Sequence, residues 1–280
     1  MLHAYAKLNL SLRVTRRRND GFHDLDSLVQ TIDLADTITL ERTTGKIEVE
    51  NDLGIPFEED LAARAALLLL QEKRVEGGIR IRVRKKIPMG AGLGGGSSDA
   101  AAVLWGVDRV TPPSISHVRL SLLAARLGSD LPLFLTGGLL RLSGRGERIT
   151  PLPHLRTERF VILVPPVHCA TAAVYDRFDR LGSSTGRKDS YSLGENDLYR
   201  PALSLYPLLI PYARAIEAVD ADYSGMSGSG SAFFAAFADE TGAHFAQRDL
   251  AATFPTAFVH LCDATDSGYH LCDETDTYRD

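Results

Sequence analysis

At 280 residues, with 44% apolar and 24% charged residues and a net charge of −5, the chain has an ordinary globular composition and room for two domains. The charge balance gives no reason to expect binding to nucleic acid or to a membrane surface, and no apolar run reaches the roughly 18 residues that a membrane span needs. Three cysteines, Cys169, Cys262 and Cys272, are too few and too scattered for a disulfide framework. The start, MLHAYAKLNLSL, lacks a charged segment followed by an apolar one, so no signal peptide is expected and a reducing cytoplasm is the simplest setting.

The chain opens on strand periodicity. Ala4, Ala6, Leu8, Leu10 and Leu12 share one face, leaving Tyr5, Lys7, Asn9 and Ser11 on the other. Lys7 and Asn9 side by side are either part of a polar site or a solvated sheet face. Next comes Arg16 to His23, RRRNDGFH, a basic stretch ending in the turn signal Asn19-Asp20-Gly21. Its arginines are either solvated or meet an anionic substrate. Phe22 and His23 after the turn are suited to stacking on a planar ligand, although loop packing explains such a pair as well.

Leu25 to Leu34 and Asp36 to Arg42 read as two strands with a tight connection, and Lys46 to Glu50 as a third. Glu58 to Lys73 is an amphipathic helix, with Leu61, Ala65, Leu68 and Leu69 on one face. Ile79, Ile81 and Val83 then alternate with Arg80, Arg82 and Arg84, a further strand.

That strand leads into Ile87 to Val103, IPMGAGLGGGSSDAAAV, with five glycines between Gly90 and Gly96 and a helical run behind them. Glycines let several backbone N–H groups face one anion, and a helix N-terminus adds a positive partial charge. The order strand, glycine loop, helix therefore reads as a phosphate cradle. Gly90, Gly92 and Gly95 satisfy G-x-G-x-x-G, but the acid that a dinucleotide fold requires about 20 residues on is replaced by TPPSIS. No G-x-x-x-x-G-K-[ST] pattern occurs anywhere in the chain. A nucleotide phosphate site of another type is left.

Pro112-Pro113 breaks the pattern, and His117 to Leu127 reads as a helix ending at Gly128. Asp130 follows, just beyond that C-terminus and ahead of apolar sequence, where the helix dipole disfavours negative charge. Such an aspartate caps the next element, or serves catalysis if a cation lies opposite. Thr150 to Thr157 looks like a linker. The second half offers a strand at Phe160–Val164, a helix from Thr171, and a polar surface loop, expected to be mobile, from Ser183 to Ser192. A helical region opens at Glu195-Asn196-Asp197-Leu198, with Asn196 or Asp197 as its N-cap.

A second glycine-serine loop, Gly225 to Ser231, is either a hairpin turn or a cover for a phosphate or substrate. A strand at Phe233–Phe237, a helix from Glu240 to Thr253 and a strand near Ala257–Leu261 follow it. The end repeats itself: His260-Leu261-Cys262-Asp263 recurs as His270-Leu271-Cys272-Asp273. Cys and His at this spacing are compatible with a metal, but a short duplication in an acidic, disordered end is the preferred reading.

In these pieces the chain resembles the GHMP kinases, the galactokinase, homoserine, mevalonate and phosphomevalonate kinase superfamily. The family loop P-x-G-x-G-L-G-S/G-S-S is matched by Pro88-Met89-Gly90-Ala91-Gly92-Leu93-Gly94-Gly95-Gly96-Ser97-Ser98. Four further segments resemble the branch that phosphorylates a cytidine diphosphate-linked methylerythritol on the non-mevalonate route to isoprenoids. They are Ala6-Lys7-Leu8-Asn9-Leu10, Asp20-Gly21-Phe22-His23-Asp24-Leu25, Leu127-Gly128-Ser129-Asp130-Leu131-Pro132 and Met226-Ser227-Gly228-Ser229-Gly230.

The resemblance implies an α+β fold of two domains, the first like ribosomal protein S5 domain 2 and the second ferredoxin-like, with the site between them. On that reading residues 1–155 form the nucleotide-binding domain, 156–262 the C-terminal domain and 263–280 a disordered acidic tail. It implies Lys7 and Asp130 as the catalytic pair, and Asn9, Phe22 and His23 as contacts of the cytidine-bearing substrate. ATP phosphates would lie on the Pro88–Ser98 loop, with Mg²⁺ as cofactor and Ser98 as a candidate beside it. A small-molecule substrate, no nucleic acid, no membrane, and a monomer or weak homodimer complete the expectation. Two departures stand out: Tyr5 where family members often have proline, and Asp99 where some have asparagine. An acid at Asp99 would repel a triphosphate unless Mg²⁺ or a lysine intervenes.

Overall fold

The strand that begins at Leu2 runs for sixteen residues, its apolar alternation ending at Val14. Strand β1, Leu2–Arg17, pairs antiparallel with β2, His23–Thr43, and the turn at Asn19–Gly21 lies between them. The computed structural model describes residues 1–51, 54–153, 159–182 and 192–272. Part of the expected linker (154–157) and nearly all of the expected mobile loop (183–191) fall outside the described residues.

β2 is one strand where two were expected. The interruption around Asp36 is a register shift against Tyr5 and Ala6, not a turn. Just past it, Asp36 is fully buried and accepts from the backbone N–H groups of Lys86 and Ile87 at 2.6 and 2.9 Å. A strand of 21 residues can then serve two partners in succession. Its first half pairs with β5, Leu139–Gly144, and its second half with β4, Gly78–Arg84. Strand β3, Glu48–Asn51, adds parallel to β4, and β6, Arg148–Pro151, pairs with β5.

Four helices pack their apolar faces over this sheet: α1 (Leu61–Lys73), α2 (Gly95–Val110), α3 (His117–Leu127) and α4 (Leu131–Thr136). Helix α1 starts three residues later than its periodicity indicates, because the Asp60 carboxylate accepts from the N–H groups of Ala62 and Ala63 and caps it there.

The chain then passes to a second, antiparallel sheet in the order β10-β7-β9-β8. Its strands are β7 (Arg159–Val164), β8 (Tyr223–Met226), β9 (Phe233–Phe237) and β10 (Phe258–Asp263). Helices α5 (Thr171–Leu181), α6 (Tyr199–Leu205), α7 (Ile210–Ala218) and α8 (Glu240–Thr253) accompany it. The five residues of β9 are all buried, as a central strand covered on both faces must be.

The end of the chain departs from its expected disorder. Ala264 bridges Ile32, the Thr265 N–H donates to the Thr31 carbonyl at 2.9 Å, and strand β11, Tyr269–Leu271, pairs with Leu2–Ala4. Acidic composition hid this because the contacts are backbone bonds that satisfy the open edge of β1. The Tyr269 ring also packs 4.7 Å from Trp105. Residues 273–280 lie outside the described residues. Cys262 and Cys272 are buried and form no disulfide, and among the described residues no group of three ligating side chains could hold a metal ion.

Candidate active site

The residues on the polar face of β1 do not face solvent. Lys7 and Asn9 are both buried in the wall of a cavity of about 490 Å³, which is also lined by Pro88 to Ser97 of the glycine loop and by Asp130. Lys7 Nζ donates to Asn9 Oδ1 and, at 2.7 Å, to the Gly92 carbonyl. Asn9 is fixed in turn, its amide donating to Ser27 Oγ at 2.8 Å. Burial lowers the Lys7 pKa, while the negative charge of Asp130 opposes that shift. The pair therefore shares one field although Lys7 makes its short bonds elsewhere.

Asp130 occupies the N-cap position of α4 but makes no capping hydrogen bond. Its carboxylate stays in the cavity, against the Gly144–Glu147 turn: a Cβ placed on Gly146 would lie 3.5 Å from Asp130 Oδ1. This arrangement answers the odd placement of an acid after a helix C-terminus.

The glycine loop is locked by close approach. Gly92 has φ +79° and an added Cβ would meet the Ser227 carbonyl at 2.2 Å; at Gly94, φ +75°, it would meet Phe134 at 2.7 Å. Both positions need glycine for conformation and for space. Ser227 Oγ donates to the Gly92 carbonyl at 2.9 Å, so the second glycine-serine loop clasps the first. Asn196 holds that clasp, its amide donating to the carbonyls of Met226 and Gly228 at 2.7 and 2.8 Å. It was expected as a helix cap; its Oδ1 does accept from the Leu198 N–H, but its amide group serves the loop. The other cap candidate, Asp197, accepts from the Val14 N–H at 2.9 Å.

Ser98 differs from its expected position. It is fully buried, absent from the cavity wall, and donates to the Tyr5 carbonyl at 2.6 Å. The register shift at Tyr5 and Ala6 frees that carbonyl, and the Ser98 hydroxyl meets it from the first turn of α2. Ser97 takes the place on the cavity wall.

Beside Ser98, Asp99 accepts from Lys85 Nζ at 2.6 Å, and Lys85 also donates to Asp36. The lysine that an acid at this position calls for is therefore present. Burial, aided by the charge of Asp36 and opposed by Lys85, pushes Asp99 up to about 7. Burial disfavours the Lys85 charge, yet Asp99 and Asp36 outweigh it and hold its pKa above the ordinary value. Asp99 Oδ1 has no hydrogen-bond partner.

At the other end of the cavity stand aromatic residues. Tyr175, from α5, lines the wall, and burial first, then the charge of Asp130, pushes its pKa up to about 12. His23 stacks on the Tyr175 ring at 5.0 Å, and its Nε2 lies 2.8 Å from Asp179 Oδ1. Phe22 is half exposed, with the Arg145 guanidinium 5.0 Å above its ring. Phe22 and His23 thus flank the cavity without lining it. Arg16 and Arg18 are paired with Asp24 and Asp20. Sequence reasoning missed Lys85, Tyr175, Asp179 and Arg145, none of which sits in a motif; helical spacing of Tyr175 and Asp179 was the one signal at hand.

The chain is similar to known proteins over most of its length. Residues 60–138 match the GHMP kinases N terminal domain and residues 186–256 the GHMP kinases C terminal domain. The 4-diphosphocytidyl-2-C-methyl-D-erythritol kinase of Solibacter usitatus is 39% identical, over 85% of this chain and 81% of that protein. That of Moorella thermoacetica is 38% identical over 92% and 97%. A crystal structure of 4-(cytidine 5'-diphospho)-2C-methyl-D-erythritol kinase superposes with a TM-score of 0.79 at 34% identity, covering 94% of this chain and 99% of that one. Homoserine kinase from Cytophaga hutchinsonii, at 17% identity and a TM-score of 0.66 over 97% and 96%, shares the fold. With its two-domain α+β GHMP fold, and with this identity over nearly the whole length, the chain belongs to the 4-diphosphocytidyl-2-C-methyl-D-erythritol kinases.

Proposed function

We propose that this protein transfers the γ-phosphoryl group of ATP to the 2-hydroxyl of 4-diphosphocytidyl-2-C-methyl-D-erythritol, in the non-mevalonate supply of isoprenoid precursors. The observation that carries the reading is the shared cavity of Lys7, Asp130 and the glycine loop. Phosphoryl transfer passes through a loose transition state, so positioning and charge neutralisation dominate. The loop amides and the N-terminus of α2 bind the triphosphate, and Lys7 offsets charge that builds on the transferred group.

Asp130 accepts or orients the proton of the acceptor hydroxyl. The Asp130 carboxylate, which shares the cavity with the Lys7 ammonium, is a good orienting acceptor and only a modest base. Removal of that proton late in the reaction does not demand a strong one. Asn9 orients both Lys7 and the acceptor, while Phe22, His23 and Tyr175 hold the cytidine end.

Mg²⁺ fits the same cavity. This ion takes one or two carboxylates and completes its shell with phosphates and water, and Asp99 Oδ1 is a buried carboxylate oxygen without a partner on that wall. Bound with ATP, it would neutralise phosphate charge. Asp99 and Asp130 are the residues that would hold it, in place of Ser98.

Residues 1–155 form the nucleotide half in this reading and 156–262 the other. Among the described residues no helix is long and apolar enough to cross a membrane, and three cysteines that form no disulfide suit a reducing cytoplasm. ATP consumption measured with the cytidine diphosphate-linked methylerythritol, homoserine and mevalonate tests the assignment. Turnover confined to the first is expected; preference for another acceptor would move the chain to a different GHMP activity, and ATP binding without turnover would make it a regulatory protein.

A further inference from the structure

His23 is held by the second half of the molecule. Its Nε2 meets Asp179 Oδ1 at 2.8 Å, its ring stacks on Tyr175, and the edge of Phe178 lies 6.3 Å away; all three belong to α5. Arg17, the register partner of His23 across the β1–β2 pair, reaches the other Asp179 oxygen at 3.4 Å. The imidazole is thus fixed in plane and in rotation, with its side chain 8% exposed.

A carboxylate oxygen only accepts, so the hydrogen between these atoms belongs to Nε2. In the neutral ring that leaves Nδ1 as an acceptor, since the partner of one nitrogen sets the state of the other. No bond to Nδ1 occurs among the described residues, and Nδ1 is not one of the buried side-chain atoms left unpartnered. It is therefore not sealed off, and its ring lies against Tyr175, which forms the wall at this end of the cavity.

Resting on the acceptor assignment above, we propose that Asp179 is a positioning residue that sets base selectivity. By holding His23 as the Nε2–H tautomer it presents Nδ1 to the exocyclic amine of cytosine and refuses the oxygen that uracil carries at the same position. Cytosine offers an N–H donor at C4, whereas uracil offers a carbonyl whose lone pairs oppose those of Nδ1. A site built around a hydrogen bond rejects the analogue that cannot make it far better than a site of shape alone.

The test compares kcat/KM for the cytidine diphosphate-linked acceptor and its uridine counterpart, in the unchanged enzyme and in Asp179→Ala. The substitution frees the imidazole to change tautomer, and the cytidine preference is expected to fall about tenfold, the weight of one hydrogen bond, with KM for ATP unchanged. Equal losses for both bases would reduce Asp179 to a structural tether between the two halves, and an unchanged preference would also overturn the proposal. Nitrogen-15 NMR of the unchanged enzyme, with the His23 signal assigned through His23→Gln, gives an answer that does not depend on the folding of the alanine variant. A protonated Nε2 and bare Nδ1 are expected, and hydrogen on Nδ1 would overturn the tautomer. Should the unchanged enzyme turn over neither nucleotide form, the acceptor assignment itself falls, a result separable from the others.

Discussion

Lys85 Nζ lies 2.6 Å from Asp99 Oδ2 and ties the residue that follows β4 to the N-terminal part of α2, across the two ends of the glycine loop. With Asp36 it makes a buried cluster of two carboxylates and one ammonium. Lys85→Ala leaves two buried acids without their cation, a change worth about 3–5 kcal/mol. A markedly lower urea midpoint with an unchanged m-value is the expected outcome; an unchanged midpoint would show that the cluster does not hold the loop.

The same cluster makes stability depend on pH. Asp99, at about 7 in the folded chain against an ordinary value of 3.8, holds its proton in the folded state after the unfolded chain has lost it. The folded state binds more protons between those values, so this contribution is full below about 4 and is lost as pH rises through 7. Asp99→Asn carries no such proton. Denaturation of both proteins from pH 5 to 8 should show the variant gaining on the parent as pH rises, and a constant difference would contradict the assignment.

Asp130 makes no cap bond, so Asp130→Asn should leave the melting temperature almost unchanged. Its kcat should fall by orders of magnitude with a modest change in KM. Lys7→Met should likewise cost about two to three orders in kcat, while its thermal stability is kept or raised because a buried cation is removed. Near-normal turnover in either variant removes that residue from the chemistry.

The aromatic end should act on the acceptor alone. His23→Ala and Tyr175→Ala are expected to raise KM for the cytidine substrate by about fivefold or more, since a buried ring contact is worth about 1 kcal/mol. The KM for ATP should stay near its original value in steady-state kinetics. Parallel losses for both substrates would place these rings outside the acceptor site.

Glycine positions separate by geometry. Gly92→Ala drives a Cβ to 2.2 Å from the Ser227 carbonyl at a positive φ, whereas a Cβ on Gly96 meets nothing within 4 Å. Melting curves should show Gly92→Ala clearly destabilised and unable to bind ATP in calorimetry. Gly96→Ala should melt no lower than the parent, since alanine favours a helix over glycine by about 1 kcal/mol.

Much of the site lay in local pattern. Periodicity at Leu2–Leu12, Ile79–Arg84 and His117–Leu127 set the elements that carry Lys7, the glycine loop and Asp130, because those signals depend only on residues close in the chain. The glycine spacing announced a phosphate site for the same reason. The strand at Asp36 and the strand after Asp263 escaped pattern reading, since one is held by a buried charge and the other by backbone bonds to a distant edge.

Lys7 and Asp130 are 123 positions apart and nothing local relates them; the packing of α2 against both β1 and α4 gives them one field. The tertiary structure alone decided that Ser98 turns inward to Tyr5, that Lys85 answers Asp99, and that α5 brings Asp179 to His23. Each of these depends on long-range approach of polar groups in a place with little water, where an unmet hydrogen bond is costly and so selects its partner. The sequence by itself determined that a phosphate cradle stands on a helix beside a polar strand, because backbone freedom and side-chain periodicity are local properties.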